Sequence, residues 1–226
     1  QDLYHEPIVK KTFDEASDIL SYDMAELCFS ENEKLNQTMY TQPAILTVSI
    51  AYQRLLQEHG IFPQAALGLS LGEYSALVAS EALPFAEAVA LVAKRGAYMT
   101  EAAPAGSGKM VAVMNAPIEV IEECCVKAQE LGIVSPANYN TPQQIVIGGE
   151  EQAVDQAVAL LQEQGIKRMI PLNVSGPFHT AILAPASEKL AAELKNVAFN
   201  EPKIPVISNT TTEVMTKERI PILLEQ

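Results

Sequence analysis

The chain has 226 residues and a formal net charge of −13, and 48% of its residues are hydrophobic. This length and composition are typical of a globular protein with one medium-sized domain, or with a domain that carries an insert. The negative charge argues against a nucleic-acid partner, and the longest apolar runs, such as Ala44–Ala51, are too short to span a membrane.

Three long helices are predicted in the first half of the chain, besides a short one after the serine motif described below. Apolar residues recur on one face of Pro7–Leu27, which predicts the first helix. Thr41 is a suitable N-cap for the second helix, with Pro43 early in that helix, and Gly60 ends it. A strongly amphipathic pattern over Phe85–Ala103 predicts the third helix.

A G-x-S-x-G pentapeptide, Gly68-Leu69-Ser70-Leu71-Gly72, follows the apolar run Ala65-Ala66-Leu67 and precedes a helical pattern at Ala76–Ala79. In a strand–turn–helix elbow the serine occupies a tight turn, and its hydroxyl projects at the edge of a sheet. We expect both glycines to remove side chains where strand and helix approach closely. The helix directs its N-terminal N–H groups towards an anionic intermediate. The alternative is a Gly/Ser turn without chemistry.

The middle of the chain has the element order β-α-β-β-α-β, which is the ferredoxin-like arrangement. Linker-like segments, Pro104–Gly108 and Ser175–Pro177, flank it. A helix over His179–Leu194 and a strand over Pro205–Ser208 are predicted after it. The predicted elements of this unit are strands Lys109–Met114, Ile133–Asn138, Gln143–Gly148 and Lys167–Asn173, and helices Pro117–Leu131 and Glu150–Gln164.

These elements predict an α/β fold in which a hydrolase-like core domain with a parallel sheet carries a small inserted subdomain. We expect residues 1–106 and 175–226 to form the core, and residues 107–174 to form the ferredoxin-like insert. The serine motif precedes the insert, and the last predicted helix and strand follow it. The insert therefore divides the core in sequence.

A serine that transfers acyl groups needs a base to accept its proton. His179 is the best candidate, because it follows the rigid turn Ser175-Gly176-Pro177-Phe178, opens a predicted helix, and comes after Ser70 in sequence, as in α/β hydrolases. The alternative is a helix-capping or solvated histidine. No convincing Asp or Glu lies between Ser70 and His179 as a third member.

Arg95 lies beside the apolar stripe of the third predicted helix. A guanidinium there needs an anionic partner, and it can hold a carboxylate through two parallel hydrogen bonds. Gly96 next to it would allow another element to approach closely. The alternative is a surface arginine with its charged end in water. The polar segment Asn138–Gln143 is either a hairpin connection or a source of amides for a ligand.

Five segments stand in a specific order and spacing: Gln42-Pro43-Ala44-Ile45-Leu46, Gly68-Leu69-Ser70-Leu71-Gly72-Glu73-Tyr74-Ser75-Ala76-Leu77, Lys94-Arg95-Gly96, Ala137-Asn138-Tyr139-Asn140-Thr141-Pro142 and Gly176-Pro177-Phe178-His179. Together they resemble the malonyl-coenzyme A:acyl carrier protein transacylases of fatty-acid synthesis. The resemblance covers essentially the whole chain, and it is far more specific than the pentapeptide alone.

The resemblance implies roles for individual residues. Ser70 is the expected nucleophile, His179 its base, and Arg95 the clamp for the malonyl carboxylate. The Leu71 N–H matches one donor to the oxyanion. A main-chain carbonyl, matched here by Gln226, would orient the histidine in place of a carboxylate. The other candidate substrate-binding residues are Asn138, Asn140 and Phe178.

The resemblance also implies an activity: the malonyl group passes from malonyl-coenzyme A to the phosphopantetheine thiol of acyl carrier protein through a malonyl-serine. No metal or redox cofactor is expected, and the three histidines argue against a histidine-rich metal site. The three cysteines lack C-x-x-C spacing and suit a reducing compartment. We therefore expect a cytoplasmic monomer without nucleic-acid or membrane partners.

The chain departs from the family pattern at Leu69, where the family has histidine. The family's N-terminal Gly-Gln-Gly loop and its C-terminal strand and helix are not found, so we expect both ends of the family's domain to be missing. A serine thioesterase or other hydrolase with the same Ser-His pair is the alternative function, and Arg95 argues against it. A third possible function is that of a non-catalytic scaffold that binds carrier protein. The presence of both Ser70 and His179 argues against it.

Overall fold

The helices and strands follow the predicted order, but the first predicted helix is divided in two and the bounds of several other elements differ from the prediction. The computed structural model describes residues 1–174 and 176–225. No helix in these ranges is both long and apolar enough to cross a membrane. The helices are α1 (Pro7–Leu20), α2 (Met24–Phe29), α3 (Thr38–Glu58), α4 (Gly72–Ala79), α5 (Phe85–Ala102), α6 (Ile118–Ala128), α7 (Glu151–Glu163), α8 (Ala184–Leu194) and α9 (Ile220–Glu225), and the strands are β1 (Ala66–Leu67), β2 (Lys109–Met114), β3 (Val134–Thr141), β4 (Gln144–Gly149), β5 (Met169–Pro171) and β6 (Val206–Ile207).

The first predicted helix is divided into α1 and α2. Ser21 ends α1 with a left-handed φ of 59°, and the Asp23 carboxylate accepts a main-chain N–H in the first turn of α2. The prediction of one helix over Pro7–Leu27 was therefore wrong. Ser and Asp compete with a continuous helix because their short polar side chains favour turns and N-caps.

The second predicted helix, α3, starts at Thr38 rather than at Thr41. The main-chain oxygen of Gln37 accepts both the N–H and the hydroxyl of Thr41 at 2.9 Å, which closes a helical turn ahead of the expected cap. Thr41 is therefore an interior residue of α3, and Pro43 lies inside the helix. The predicted stop at Gly60 is confirmed, since Gly60 follows the C-cap with a φ of +75°.

Contacts divide the chain into two units. The first unit is Gln1–Tyr98 with Ser187–Gln226, and the second is Met99–Ala186. The insert expected at residues 107–174 falls within the second unit. The predicted fold class, an α/β core with a parallel strand pair and a small β-α-β-β-α-β subdomain, is confirmed.

The first unit contains the parallel pair β1 and β6, in which Ala66 lies opposite Val206 and Leu67 opposite Ile207. Apolar faces of the surrounding helices form one hydrophobic core with Val206. Because the two strands run in the same direction, the segments that follow them lie at the same edge of the pair. Large side chains that are fully buried in this core include Met24, Leu46, Ile50, Tyr74, Leu77, Leu83 and Met215.

Among the described residues, the second unit forms a four-stranded antiparallel sheet in the order β3-β4-β2-β5. Helices α6 and α7 cover one face, and a smaller apolar cluster that includes Phe178 covers the other. Because both faces are buried, β2 and β4 read as nearly continuous apolar runs instead of alternating ones. The side chains towards the helices include Val111, Val113, Ile145 and Ile147, and those on the other face are Met110, Ala112 and Val146.

Candidate active site

Ser70 lies in the turn between β1 and α4, where the pentapeptide predicts it. Its φ of 53° is left-handed, a conformation that non-glycine residues rarely adopt. A Cβ built on Gly68 would lie 2.1 Å from the carbonyl carbon of Gly72, so only glycine fits at position 68. A Cβ built on Gly72 would meet no described atom within 4 Å beyond its own turn and helix. The expectation that both glycines permit the close approach was therefore wrong for Gly72.

The guanidinium of Arg95 contacts the Ser70 hydroxyl directly. Nη2 donates to Ser70 Oγ at 2.9 Å, and Nη1 donates to Gln42 Oε1 at 2.6 Å. Arg95 Cζ also lies 5.6 Å from the centre of the Tyr74 ring, within the range of a cation–π interaction. Burial raises the pKa of Tyr74 to about 12, so the ring stays neutral beside the cation. Arg95 is thus held among three side chains, unlike a surface arginine with its charged end in water.

The contact between Arg95 and Gln42 depends on a close approach of α5 to the first turn of α3. A Cβ built on Gly96 would lie 2.8 Å from Met39 Cα and from the main-chain oxygen of Thr38. Glycine at position 96 therefore lets the two helices approach, as the sequence led us to expect. Gln42 follows one turn further along α3 and reaches the guanidinium.

Two residues that the sequence did not lead us to place in the site, Asn209 and Glu73, contact the elbow. Asn209 Oδ1 accepts the N–H of Ser70 at 2.5 Å, and the Asn209 N–H donates to Glu73 Oε1 at 2.7 Å. Glu73 is only 3% exposed. Burial raises the pKa of its carboxyl, and hydrogen bonds from Asn209 and Ser208, with the charge of Arg95, oppose that shift. Their sequence signal is weak: Glu73 directly follows the pentapeptide, and Asn209 follows a predicted strand.

His179 lies in the second unit, in an exposed turn rather than at the start of a helix. Its φ is 57°, a short 3₁₀ turn covers Ala181–Leu183, and α8 begins at Ala184. The prediction that His179 opens a helix was wrong, because a left-handed residue does not have helical dihedral angles. The Thr180 hydroxyl donates to the main-chain oxygen of Pro177 at 2.7 Å and closes the turn that carries His179.

The other expected substrate-binding residues also belong to the second unit. Phe178 is half-buried and packs with the apolar cluster around Val146. Asn138 lies in β3 and pairs with Val146 of β4, beside an irregularity in the strand register. The Asn140 side chain donates to Gln144 Oε1 at 2.9 Å across the hairpin. β3 is longer than predicted, and these contacts belong to the hairpin connection that the sequence allowed.

Leu71 directly precedes α4, with φ of −52° and ψ of −34°. Leu69, on the other side of Ser70, is 60% exposed. Gln226, the expected orienting residue, lies outside the described residues. Within residues 1–174 and 176–225, no group of three or more His, Cys, Asp and Glu side chains could hold a metal ion.

The sequence profile of the acyl transferase domain family matches residues 5–221, which include every described residue of the candidate site. The chain belongs to this family. The resemblance found in the sequence is confirmed, and the protein is an acyltransferase.

The acyltransferase is similar to proteins of the malonyl-transacylase group that its motifs resemble. It is 46% identical over 212 residues to the malonyl CoA-acyl carrier protein transacylase of Escherichia coli O157:H7, an alignment of 93% of this chain and 69% of that protein. The crystal structure of MCAT from Streptococcus pneumoniae matches with a TM-score of 0.95 and 64% identity, over 99% of this chain and 73% of that one. A malonyl-transacylase solved with its type II polyketide acyl-carrier protein matches with a TM-score of 0.94 and 41% identity, over 99% and 73%.

The arrangement in the first unit of the acyltransferase suits a particular acyl group. The Ser70 hydroxyl and a guanidinium fork lie side by side, and Gln42 and Tyr74 hold the fork in place. A guanidinium can bind a carboxylate through two parallel hydrogen bonds. The site can therefore present a serine to an acyl group whose own carboxylate lies close to the reacting carbonyl.

Proposed function

We propose that this acyltransferase moves the malonyl group from malonyl-coenzyme A to the phosphopantetheine thiol of an acyl carrier protein, through a malonyl-serine at Ser70. The similar protein of E. coli O157:H7 is named for malonyl transfer to acyl carrier protein, and one similar structure is a malonyl-transacylase with its carrier. The observation that carries the proposal is the 2.9 Å contact between Arg95 Nη2 and Ser70 Oγ.

This contact suits malonyl because one methylene separates the malonyl carboxylate from the thioester carbonyl. When Ser70 attacks that carbonyl, the carboxylate stays within reach of Arg95. An acyl group without a carboxylate would occupy the site without satisfying the guanidinium, which is unfavourable where water is excluded. Arg95 would therefore select dicarboxylic acyl groups. A general thioesterase has no need for this cation, which favours transfer of malonyl over the hydrolase alternative.

The proposed reaction exchanges one thioester for another in two steps. Ser70 Oγ attacks the malonyl carbonyl while His179 accepts its proton, and the resulting oxyanion is held by backbone N–H groups, including that of Leu71. The C–S bond then breaks, and coenzyme A leaves as a thiol with the proton from His179. The carrier's thiol attacks the malonyl-serine in the reverse sequence, which regenerates Ser70. These roles of His179 and Leu71 are supported by their family motifs.

Further residues take roles in this proposal through the family resemblance. The main-chain carbonyl of Gln226 would orient the His179 ring, in place of the carboxylate of a Ser-His-Asp triad. Asn138, Asn140 and Phe178 would contact the substrate. The Ala137–Pro142 and Gly176–His179 segments of the family pattern support these roles for Asn138, Asn140 and Phe178.

The proposed reaction changes no oxidation state, so it needs no redox cofactor. We also expect no metal, because Ser70 and His179 carry the chemistry in this proposal. We place the enzyme in the cytoplasm, because its three cysteines lack C-x-x-C spacing and suit a reducing compartment. We expect a monomer, without nucleic-acid or membrane partners, in keeping with the net charge of −13. In this proposal residues 107–174 form a subdomain inserted into a core of residues 1–106 and 175–226.

The mass of the protein after mixing with malonyl-coenzyme A tests the proposal. We expect one malonyl group on the peptide that contains Ser70, and none after Ser70→Ala. Addition of a carrier protein with phosphopantetheine should remove the group faster than water does, whereas a thioesterase would release it to water. A malonyl group that persists in Ser70→Ala, or that lies on Cys124 or Cys125, contradicts the proposal.

A second variant tests the proposed base. His179→Ala should slow acylation of Ser70 by roughly 10²–10⁴-fold, the usual contribution of a positioned proton acceptor. Binding of malonyl-coenzyme A should change little, because the carboxylate contact to Arg95 remains. An acylation rate in His179→Ala equal to that of the wild type would remove His179 from the mechanism.

A further inference from the structure

The main chain of Ser70, and not only its hydroxyl, has a side-chain partner. The Ser70 N–H donates to Asn209 Oδ1 at 2.5 Å, and the Asn209 N–H donates to Glu73 Oε1 at 2.7 Å. Glu73 belongs to the first turn of α4, which begins directly after the elbow. The contacts therefore form a closed path from Ser70 to Asn209, on to Glu73, and back through the helix to Ser70.

The pairing of β1 with β6 explains why residues so distant in sequence meet here. Leu67 lies opposite Ile207, so both strands end at the same level. Ser70 follows β1 by three residues, and Asn209 follows β6 by two. Because parallel strands present their carboxyl ends at one edge, the elbow and the turn after β6 are neighbours.

Asn209 is itself fixed by the turn that follows β6. The buried Ser208 accepts the N–H of Thr210 with its Oγ at 3.1 Å, and the N–H of Thr212 with its main-chain oxygen at 2.9 Å. The Asn209 Nδ2 donates to Thr210 Oγ1 at 3.2 Å, which orients the amide so that Oδ1 faces Ser70. The acceptor for the Ser70 N–H is therefore held in one orientation.

Ser70 needs such support, because a left-handed backbone is unfavourable for a non-glycine residue and persists only where the surroundings hold it. Glu73 contributes to this support. A buried carboxylate is unfavourable unless it is hydrogen-bonded, and Glu73 accepts the Asn209 N–H near the N-terminus of α4, where negative charge is stabilised. An apolar side chain could fill the same space but could not fix Asn209.

We propose that Asn209 and Glu73 are positioning residues that hold Ser70 in the conformation from which it attacks the thioester. Asn209 acts on the Ser70 N–H, and Glu73 acts on Asn209. The inference rests on the proposed role of Ser70 as nucleophile, but not on the identity of the acyl group. Loss of Asn209 should lower the rate of attack and leave substrate binding largely unchanged, because Arg95 keeps its contact to Gln42.

The rate at which a fluorophosphonate labels Ser70, followed by intact mass, tests this role without any acyl substrate. Asn209→Ala should be labelled about 10²-fold more slowly than the wild type, the scale expected when a reacting atom moves by about 1 Å. Asn209→Asp keeps the Oδ1 acceptor and should retain most of the rate. Asn200→Ala is the matched control, because Asn200 is exposed and its amide contacts the main-chain oxygen of Glu81 instead.

The same variants are then assayed for transfer of malonyl from malonyl-coenzyme A to a carrier protein with phosphopantetheine. In Asn209→Ala, kcat should fall in parallel with the labelling rate, and KM should stay near the wild-type value. Glu73→Ala should behave like Asn209→Ala. Glu73→Gln keeps an oxygen that can accept the Asn209 N–H, and it should lose less activity than Glu73→Ala. A purely structural role would not produce this order of rescue.

Equal labelling rates in Asn209→Ala and Asn200→Ala would overturn the proposal. An equal loss of labelling rate in Asn209→Ala and Asn209→Asp would also overturn it, because loss of the Oδ1 acceptor would then not explain the slower labelling. If Asn209→Ala does not fold, Asn209→Ser replaces it, since the shorter side chain cannot reach the Ser70 N–H. If labelling follows the expected order but malonyl-coenzyme A never acylates Ser70, the proposed malonyl transfer is wrong and the positioning role stands.

Discussion

The two units of this acyltransferase are stabilised in different ways. In the second unit, β2 and β4 pair over six residues each, and most of their side chains are buried. In the first unit, β1 and β6 pair over only two residues, and side-chain hydrogen bonds hold the turn after β1. The regular sheet thus keeps its geometry through its own main-chain hydrogen bonds and through the packing of its side chains. The elbow depends instead on a few polar contacts and on one glycine.

The largest effect should come from the glycine of the elbow. Gly68→Ala places a Cβ 2.1 Å from the carbonyl carbon of Gly72, so the elbow must open. We expect fluorophosphonate labelling of Ser70 to fall by at least about 10²-fold. Gly72→Ala is the control, and it should be labelled at the wild-type rate. Equal losses in both variants would mean that close approach of the backbone is not the reason for glycine at position 68.

A substitution in the sheet should act on stability. Ile147 lies in β4 and is fully buried, so Ile147→Ala should lower the free energy of unfolding by about 2–5 kcal/mol. Ile170→Ala in β5 is the matched control, because Ile170 is 41% exposed. Urea titration of both variants measures the difference. The proposed contrast between the units fails if Ile170→Ala is as destabilising as Ile147→Ala.

Arg95 should affect the choice of acyl group more than stability. Arg95→Ala removes hydrogen bonds to a charged carboxylate, so the preference for malonyl over acetyl should fall by about 1.5–3 kcal/mol. The ratio of kcat/KM for malonyl-coenzyme A and acetyl-coenzyme A measures this preference. Arg95→Lys should restore little of it, because lysine lacks the planar fork. Lys94→Ala is the control, since Lys94 pairs with Glu193 at 2.7 Å; unchanged selectivity in Arg95→Ala would reject the clamp.

The smallest effect should be a dependence of stability on pH at Glu73. Burial raises the pKa of this carboxyl above its ordinary value of 4.5, so the folded protein holds the proton more tightly than the unfolded chain. The stability that Glu73 gains from holding its proton is therefore fully present below pH 4.5, the ordinary pKa, and is lost as the pH rises through the raised pKa. Glutamine is neutral throughout, so the stability of Glu73→Gln relative to the wild type should increase as the pH rises from below 4.5 through the raised pKa. A difference that stays constant with pH would contradict the assigned shift.

The difference between regular packed elements and turns held by polar contacts also explains which features the sequence could predict. β2 was expected at Lys109–Met114 and is found there, because a strand buried on both faces is a continuous apolar run with clear ends. The break at Ser21 was missed, since the apolar spacing continues through it and only the capping contact of Asp23 decides the outcome. The pattern of apolar residues thus predicts packed helices and strands better than it predicts the breaks that polar residues make within them.

The candidate site was predictable only where its parts are local in sequence. The pentapeptide predicted the elbow at Ser70, whereas the helical position of Arg95 left a surface arginine open and only the family resemblance placed Arg95 in the site. Asn209 was missed because a hydrogen bond to a residue 139 positions away leaves no periodic pattern. The conformation of His179 was missed too, since its left-handed backbone depends on the turn closed by Thr180.

The separation between Ser70 and Asn209 also sets an order of events in the cell. A ribosome adds about 5–20 residues per second, so the 139 residues from Ser70 to Asn209 take about 7–28 s to synthesise. During that interval the serine motif has been translated, but its acceptor has not. A serine-directed probe added to a translation reaction arrested at defined lengths should therefore label nascent chains efficiently only once Asn209 has emerged from the ribosome.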